Sequence, residues 1–209
     1  LKTEQKSNEI TAIPELIKML DIKGALVTID AMACQTKIAK TIVEQGGDYL
    51  LAVKSNQGKL REAIVKAFSF QRANNTDKST IEQGHGRTEC RQCYVIDSTH
   101  LVGDFSKWKG LKNIVMVENC RLEKGKPIEL EYRYYISSKE LSAEQAAIAV
   151  REHWGIESMH WVLDVSMSED ACQIYNAHGA ENMSSLRHMS LNMLRAEPTK
   201  IRIVGKQKR

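Results

Sequence analysis

Two short apolar runs with one helical segment between them set the tightest limit on how this chain can fold. AlaLeuValThrIleAsp (25–30) is a compact apolar run ending in an acid, and AspTyrLeuLeuAlaVal (48–53) is its counterpart. Runs of this kind, apolar on both sides, suit strands buried on both faces of a parallel sheet. Between them the segment from Gln35 to Gln45 puts Ile38, Ile42 and Val43 inward and stops at Gly46-Gly47, which predicts a helix. A further helix is predicted from Lys59 to Phe70. Strand, helix, strand, helix with tight glycine turns is βαβ grammar, and such crossovers are right-handed. The fold class is α/β.

The flanking segments are read around that unit. Ser7 or Asn8 caps a short helix with Pro14 in its first turn and Ile13, Leu16, Ile17 and Leu20 on its inner face. Residues 71–80 are polar and Asn-rich, which predicts a loop. Three strand-like segments follow in meander style, at 86–97, 113–123 and 128–138, with Gly125-Lys126-Pro127 as a turn. Helical character returns at Ser142. This divides the chain into an N-terminal part of an α/β core (1–70), a β insertion (71–141) and C-terminal helices with a basic tail (142–209). In the last helix Met183, Leu186, Met189, Leu191 and Leu194 are core candidates, and Pro198 ends it.

Ala149 to Asp164, reading AVREHWGIESMHWVLD, is an unusual helix. At roughly 100° per residue, Trp154 and Trp161 fall on one flank and Ile156 and Leu163 on the other. His153, Glu157, His160 and Asp164 lie between those flanks, within an arc of roughly 60°. A carboxylate buried without a partner costs several kcal/mol, so this stripe requires a cation, a hydrogen-bond network or a cleft. Either the His and Glu side chains satisfy one another at i, i+4, or Glu157 is a metal-binding or acid/base carboxylate. Glu157-x-x-His160 also matches half of a di-iron bundle motif, but no second copy exists.

Composition narrows the function classes. With 42% hydrophobic and 27% charged residues in 209, the chain is an ordinary globular protein. No apolar run approaches a membrane span and LKTEQKSNEI has no signal-peptide pattern, which argues for the cytoplasm and against a membrane partner. The five cysteines are scattered, and Cys90-Arg-Gln-Cys93 has no second pair to make a zinc ribbon. Both are read as reduced thiols on a strand. A net charge of +4 permits an anionic partner. Both chain ends read as cut edges.

In α/β sheets ligands sit beyond the carboxyl ends of strands. Asp30 and the Lys54–Gln57 loop both lie at such ends, so one cleft is expected to hold them. The alternatives are a helix N-cap for Asp30 and a solvated turn for Lys54, Asn56 and Gln57.

IleAspAlaMetAlaCysGln (29–35), AspTyrLeuLeuAlaValLysSerAsnGln (48–57), GlyHisGlyArgThrGlu (84–89), TrpLysGlyLeuLys (108–112) and HisTrpGlyIleGlu (153–157) occur in that order. Together they resemble the H-repeat-associated transposases, a branch of the DDE insertion-sequence transposases with an RNase H-like core. The resemblance implies an RNase H-like mixed sheet with flanking helices, and a β insertion ahead of the Glu-bearing helix. It also implies a Mg²⁺ (or Mn²⁺) site built from Asp, Asp and Glu for DNA strand cleavage and strand transfer. Asp30 matches the second Asp and Glu157 the Glu, as catalytic and metal-binding residues.

The first catalytic Asp and the central strands that carry it are expected ahead of Leu1, so this fragment is expected to be inactive alone. The alternative is a non-catalytic remnant that binds DNA or pairs with a full-length transposase; a homo-oligomer is the other expected assembly. DNA phosphates are assigned to Lys54, Asn56, Gln57, Lys59, Arg87 and Arg151. Only Ser158 and Met159 separate Glu157 from His160, one residue fewer than in many of the transposases resembled, which turns later positions by roughly 100°. Val150, His153 and Asp164 stand where broader DDE groups carry Tyr, Arg and Lys, so those phosphate roles do not transfer.

Overall fold

In the computed structural model the two apolar runs are neighbouring parallel strands, β1 (Leu26–Ile29) and β2 (Asp48–Val53), paired Val27 to Tyr49 and Ile29 to Leu51. The structure describes residues 9–71, 78–84, 87–174, 176, 178–199, 201 and 203–207. Two compact units divide it, Leu1–Arg151 and Glu152–Arg209.

In the first unit, helix α1 (Glu9–Lys18) precedes β1, and α2 (Thr36–Glu44) makes the crossover to β2. Ile38, Ala39 and Ile42 of α2 are buried. Its end is a Schellman motif: the Gly46 N–H donates to Val43 O at 3.0 Å and the Gly47 N–H to Ile42 O at 3.1 Å. Gly46 has φ +76, which a side chain opposes, and a Cβ on Gly47 would stand 3.0 Å from the Ile22 carbonyl oxygen. Helix α3 (Gly58–Gln71) follows β2.

Strands β3 (Lys78–Gly84), β4 (Arg87–Asp97), β5 (Asn113–Glu123) and β6 (Glu129–Ser137) form an antiparallel meander, and β6 pairs antiparallel with β2. The result is one six-stranded mixed sheet in the order β1-β2-β6-β5-β4-β3. The α/β class and three of the four meander strands, β4, β5 and β6, are as the sequence predicts, while β3 is a strand the sequence reading does not assign. The meander strands continue the β1–β2 sheet directly. Within the predicted loop at 71–80, α3 runs to Gln71 and β3 begins at Lys78; the residues between lie outside the described ones.

One core joins α1, α2, α3 and one face of the sheet, through Ile17, Ile38, Ile42, Tyr49, Leu51, Ile64, Phe68, Ile96, Ile114 and Ile136. Leu50, Val115, Val117 and Tyr135, on the alternating face, are buried too, as expected of strands covered on both sides. Ser138 joins β6 to β2: its Oγ accepts from the Tyr49 N–H at 3.0 Å and donates to Asp48 Oδ1 at 2.8 Å.

Helix α1 departs from expectation. Pro14 lies inside it rather than in its first turn, because the helix already begins at Glu9. Ile17 is buried and Ile13 packs against the core, but Leu16 and Leu20 are exposed. Ile13 and Ile17 are one helical turn apart and form the only stripe of the expected set that packs inward. The expected caps Ser7 and Asn8 lie outside the described residues.

Helix α4 (Ala143–Trp161) starts at a capping box. The Gln145 N–H donates to Ser142 Oγ at 3.2 Å, and the Ser142 N–H donates to Gln145 Oε1 at 3.0 Å. In the second unit a wider turn, Val162–Ser166, follows α4 with the Met167 N–H donating to Val162 O at 3.0 Å, an i→i+5 bond. Helix α5 (Gly179–Ala196) and α6 (Ile203–Gln207) complete the chain. Lys206 Nζ donates to Leu194 O at 2.9 Å and to Glu197 O, closing the α5 C-terminus. Of the α5 core candidates only Leu191 is buried; Met183 and Leu194 are half-buried, and Leu186 and Met189 are exposed.

Candidate active site

Because β1 and β2 are parallel and in register, their carboxyl ends open on the same edge of the sheet. Asp30 follows β1 there in extended conformation, ahead of a tight turn over Ala31–Ala33. Its carboxylate makes no side-chain cap to that turn, so the N-cap alternative does not hold. Lys54 follows β2, and its Nζ stands 3.4 Å from Asp30 Oδ1. The next residues bind the Asp30 turn itself. Asn56 Nδ2 donates to Ala31 O at 2.6 Å, and Gln57 Nε2 donates to Cys34 O at 2.8 Å.

The β2–α3 loop thus clasps the β1–α2 turn through two side-chain amides, and Ala31, Ala33 and Cys34 beneath it are buried. Burial pushes the Cys34 thiol up to about 12. The pair of amides answers the solvated-turn alternative: Asn56 and Gln57 hold the backbone that carries Asp30. Sequence spacing carries no sign of this, because the two segments meet only through the parallel register.

Lys59 is exposed on the first turn of α3, and Arg151 is exposed on α4. Arg87 opens β4 opposite Glu123, but its side chain, like His85 and Gly86, lies outside the described residues. Glu157 and His160 are exposed on α4, while His153, Trp154 and Asp164 are half-buried. Of the ionisable stripe His153, Glu157 and His160 are on α4, but Asp164 falls in the wider turn that follows it, and the flanks are not core: Ile156 is 45% exposed and Trp161 60%. Leu163 alone is fully buried. Glu157 and His160 are exposed and carry little desolvation cost, which removes the burial argument for a paired or bound cation at these two residues. Asp30 belongs to the first unit and Glu157 to the second.

Among the described residues no three His, Cys, Asp or Glu side chains are grouped to hold a metal ion. Asp30 nonetheless fits a hard divalent cation as a single ligand. Mg²⁺ is commonly held by one or two carboxylates while keeping several waters, and this carboxylate is 63% exposed.

A family model described as a transposase DDE domain matches residues 1–193. This chain belongs to the DDE transposase family. It is 47% identical over 202 residues to an H repeat-associated putative transposase, YhhI, of Escherichia coli (strain K12), covering 93% of this chain and 53% of that protein. The putative transposase YncI of Escherichia coli O157:H7 is 49% identical over 202 residues, covering 93% and 52% respectively. The chain therefore spans about half the length of the curated relatives it matches. The H-repeat-associated resemblance is borne out, and the mixed sheet with flanking helices agrees with an RNase H-like transposase fold. DDE transposases typically use a divalent metal ion. Among the described residues of this DDE transposase chain no helix is long and apolar enough to cross a membrane.

Proposed function

We propose that this chain supplies Asp30 and Glu157 to a site that cleaves DNA at insertion-sequence ends and transfers the freed strand to a target. The observation that carries the reading is the position of Asp30. It is an exposed carboxylate at the carboxyl end of a parallel strand, on a turn clasped from the neighbouring strand by Asn56 and Gln57. Family membership supports the rest.

In this reading water attacks a phosphodiester and releases a 3′-OH, which then attacks a phosphodiester of the target strand. Asp30 and Glu157 would hold Mg²⁺ or Mn²⁺, which when bound neutralises charge that develops on the phosphate oxygens. Lys54, Lys59, Arg87 and Arg151 would contact DNA phosphates, and Asn56 and Gln57 would reach them with their second amide hydrogens. Two of the three carboxylates of a DDE set have counterparts in these 209 residues. The expected result is no strand cleavage by this stretch alone, with cleavage returning in a polypeptide that also carries the third.

Isothermal titration of Mn²⁺ into wild type, Asp30→Ala and Glu157→Ala tests the metal role. Loss of the binding heat in both variants is expected; equal heats in all three would end it. DNA affinity that survives without metal binding would instead favour a chain that holds DNA or pairs with a full-length transposase without cutting.

A further inference from the structure

We propose that Cys90 and Cys120 form a reversible cross-strand disulfide, a redox modification site on the meander separate from the Asp30 edge. The β4–β5 register sets the two cysteines directly opposite each other. Directly opposed residues of an antiparallel pair have Cα atoms roughly 4.5 or 5.5 Å apart, inside the 4.4–6.8 Å span of disulfides. Their Cβ atoms, roughly 4.5–5.5 Å apart in such pairs, must close to about 3.8 Å. That residual strain raises the potential and makes the bond easy to reduce, which suits a reversible site.

Two of the other cysteines, Cys93 and Cys34, are poorly placed to compete. Cys93 is three positions along β4, so it points to the opposite face, where it is buried. Cys34 is fully buried beneath the Asp30 turn. Cys90 and Cys120 are half-buried, and their cross-strand neighbours Ile81 and Leu130 are 70% and 55% exposed. A small oxidant can reach this apolar row.

The oxidant class is a hydroperoxide, and the balance is simple. The Cys90 thiolate attacks a peroxide oxygen and the O–O bond breaks. Cys90 becomes a sulfenic acid, and the released hydroxide takes up the Cys90 proton as water. Cys120, directly opposite on β5, supplies the second thiol. Its sulfur attacks Cys90 sulfur, the S–O bond breaks, and the leaving hydroxide takes the Cys120 proton as a second water. Two thiols have lost two electrons and two protons to one peroxide, and an external dithiol reverses the change.

Hydrogen peroxide treatment of the 209-residue chain, alkylation and tryptic mapping test this directly. The expected product is Thr88–Arg91 linked to Asn113–Arg121, lighter by two hydrogens and separated by dithiothreitol. The link should be lost in Cys90→Ser and in Cys120→Ser, retained in Cys93→Ser, and formed faster in native than in urea-unfolded chain. Circular dichroism of each variant confirms that loss of the link is not loss of the fold. Linkage through Cys93 or Cys172, sulfinic acid without a link, or equal rates in native and unfolded chain would overturn the proposal.

Discussion

Lys54 Nζ stands 3.4 Å from Asp30 Oδ1, with both side chains about two-thirds exposed, at 67% and 63%. At that exposure the pair contributes about 0–1 kcal/mol, so it is a weak lock on the carboxylate. Lys54→Ala is expected to change unfolding free energy in urea by less than about 1 kcal/mol. The same variant should bind Mn²⁺ more tightly, up to about fivefold, because a competing cation has gone. Weaker Mn²⁺ binding would show that Lys54 assists the cation rather than excluding it.

Asn56 and Gln57 make a second prediction, in which stability and binding move together. Each donates one amide hydrogen to a carbonyl of the Asp30 turn, to Ala31 O and Cys34 O. Removing either costs about 1 kcal/mol, the usual net value of such a bond. Asn56→Ala and Gln57→Ala should each lower the unfolding free energy measured in urea by that amount and weaken Mn²⁺ binding, although neither would be a ligand. Asn56→Asp, which keeps an acceptor but loses the donor, should behave like the alanine variant.

The contrast between β2 and α4 marks what the sequence could tell. Tyr49-Leu50-Leu51 is apolar on both faces, and only a strand covered on both sides accepts that pattern, so β2 and its parallel partner were legible. Ile38 and Ile42 followed by two glycines specified α2 and its end in the same local way. Helical periodicity grouped Trp161 with Trp154 and Ile156 with Leu163, but Leu163 lies beyond α4 in the i→i+5 turn, buried where Ile156 is exposed. A helical wheel says which residues share a face but not whether anything covers that face, and Ile156 and Trp161 are exposed.

The site divides along the same line. Asp30 and Lys54 were legible as strand-end residues. The amides of Asn56 and Gln57 bond backbone carbonyls more than twenty positions earlier, a relation fixed by sheet register alone. The facing of Cys90 and Cys120 was hidden for that reason too. The i→i+5 turn after Trp161 left no mark either, because its residues, VLDVS, are compatible with an ordinary helix.

Alkaline pH supplies a third prediction. Burial pushes Cys34 up to about 12 and also raises Tyr49. In the unfolded chain a thiol loses its proton near pH 8.5 and a phenol near pH 10. Below about pH 8 both states hold the Cys34 proton and its contribution is constant. Between about pH 8.5 and 12 the unfolded state sheds protons that the folded state keeps, so stability falls as pH rises. Urea midpoints measured from pH 7 to 11 should fall on the alkaline side, and Cys34→Ala should flatten the first part of that fall. A flat profile in wild type would mean that solvent reaches Cys34.

Ser138 gives the last prediction, and it concerns how the meander is held to the parallel strands. Its Oγ takes the Tyr49 N–H at 3.0 Å and gives its own hydrogen to Asp48 Oδ1 at 2.8 Å. At 4% exposure no water replaces it readily. Ser138→Ala therefore leaves a backbone N–H in the core without its partner, which costs about 1–3 kcal/mol. Asp48→Ala removes only the acceptor of the serine hydrogen, and the hydroxyl still accepts from Tyr49. It should cost less, about 1 kcal/mol. The double variant should then resemble Ser138→Ala alone, since Asp48 acts on this joint only through Ser138. Urea denaturation of the four proteins closes the cycle. Simple addition of the two losses would mean that Asp48 supports β2 by some other contact.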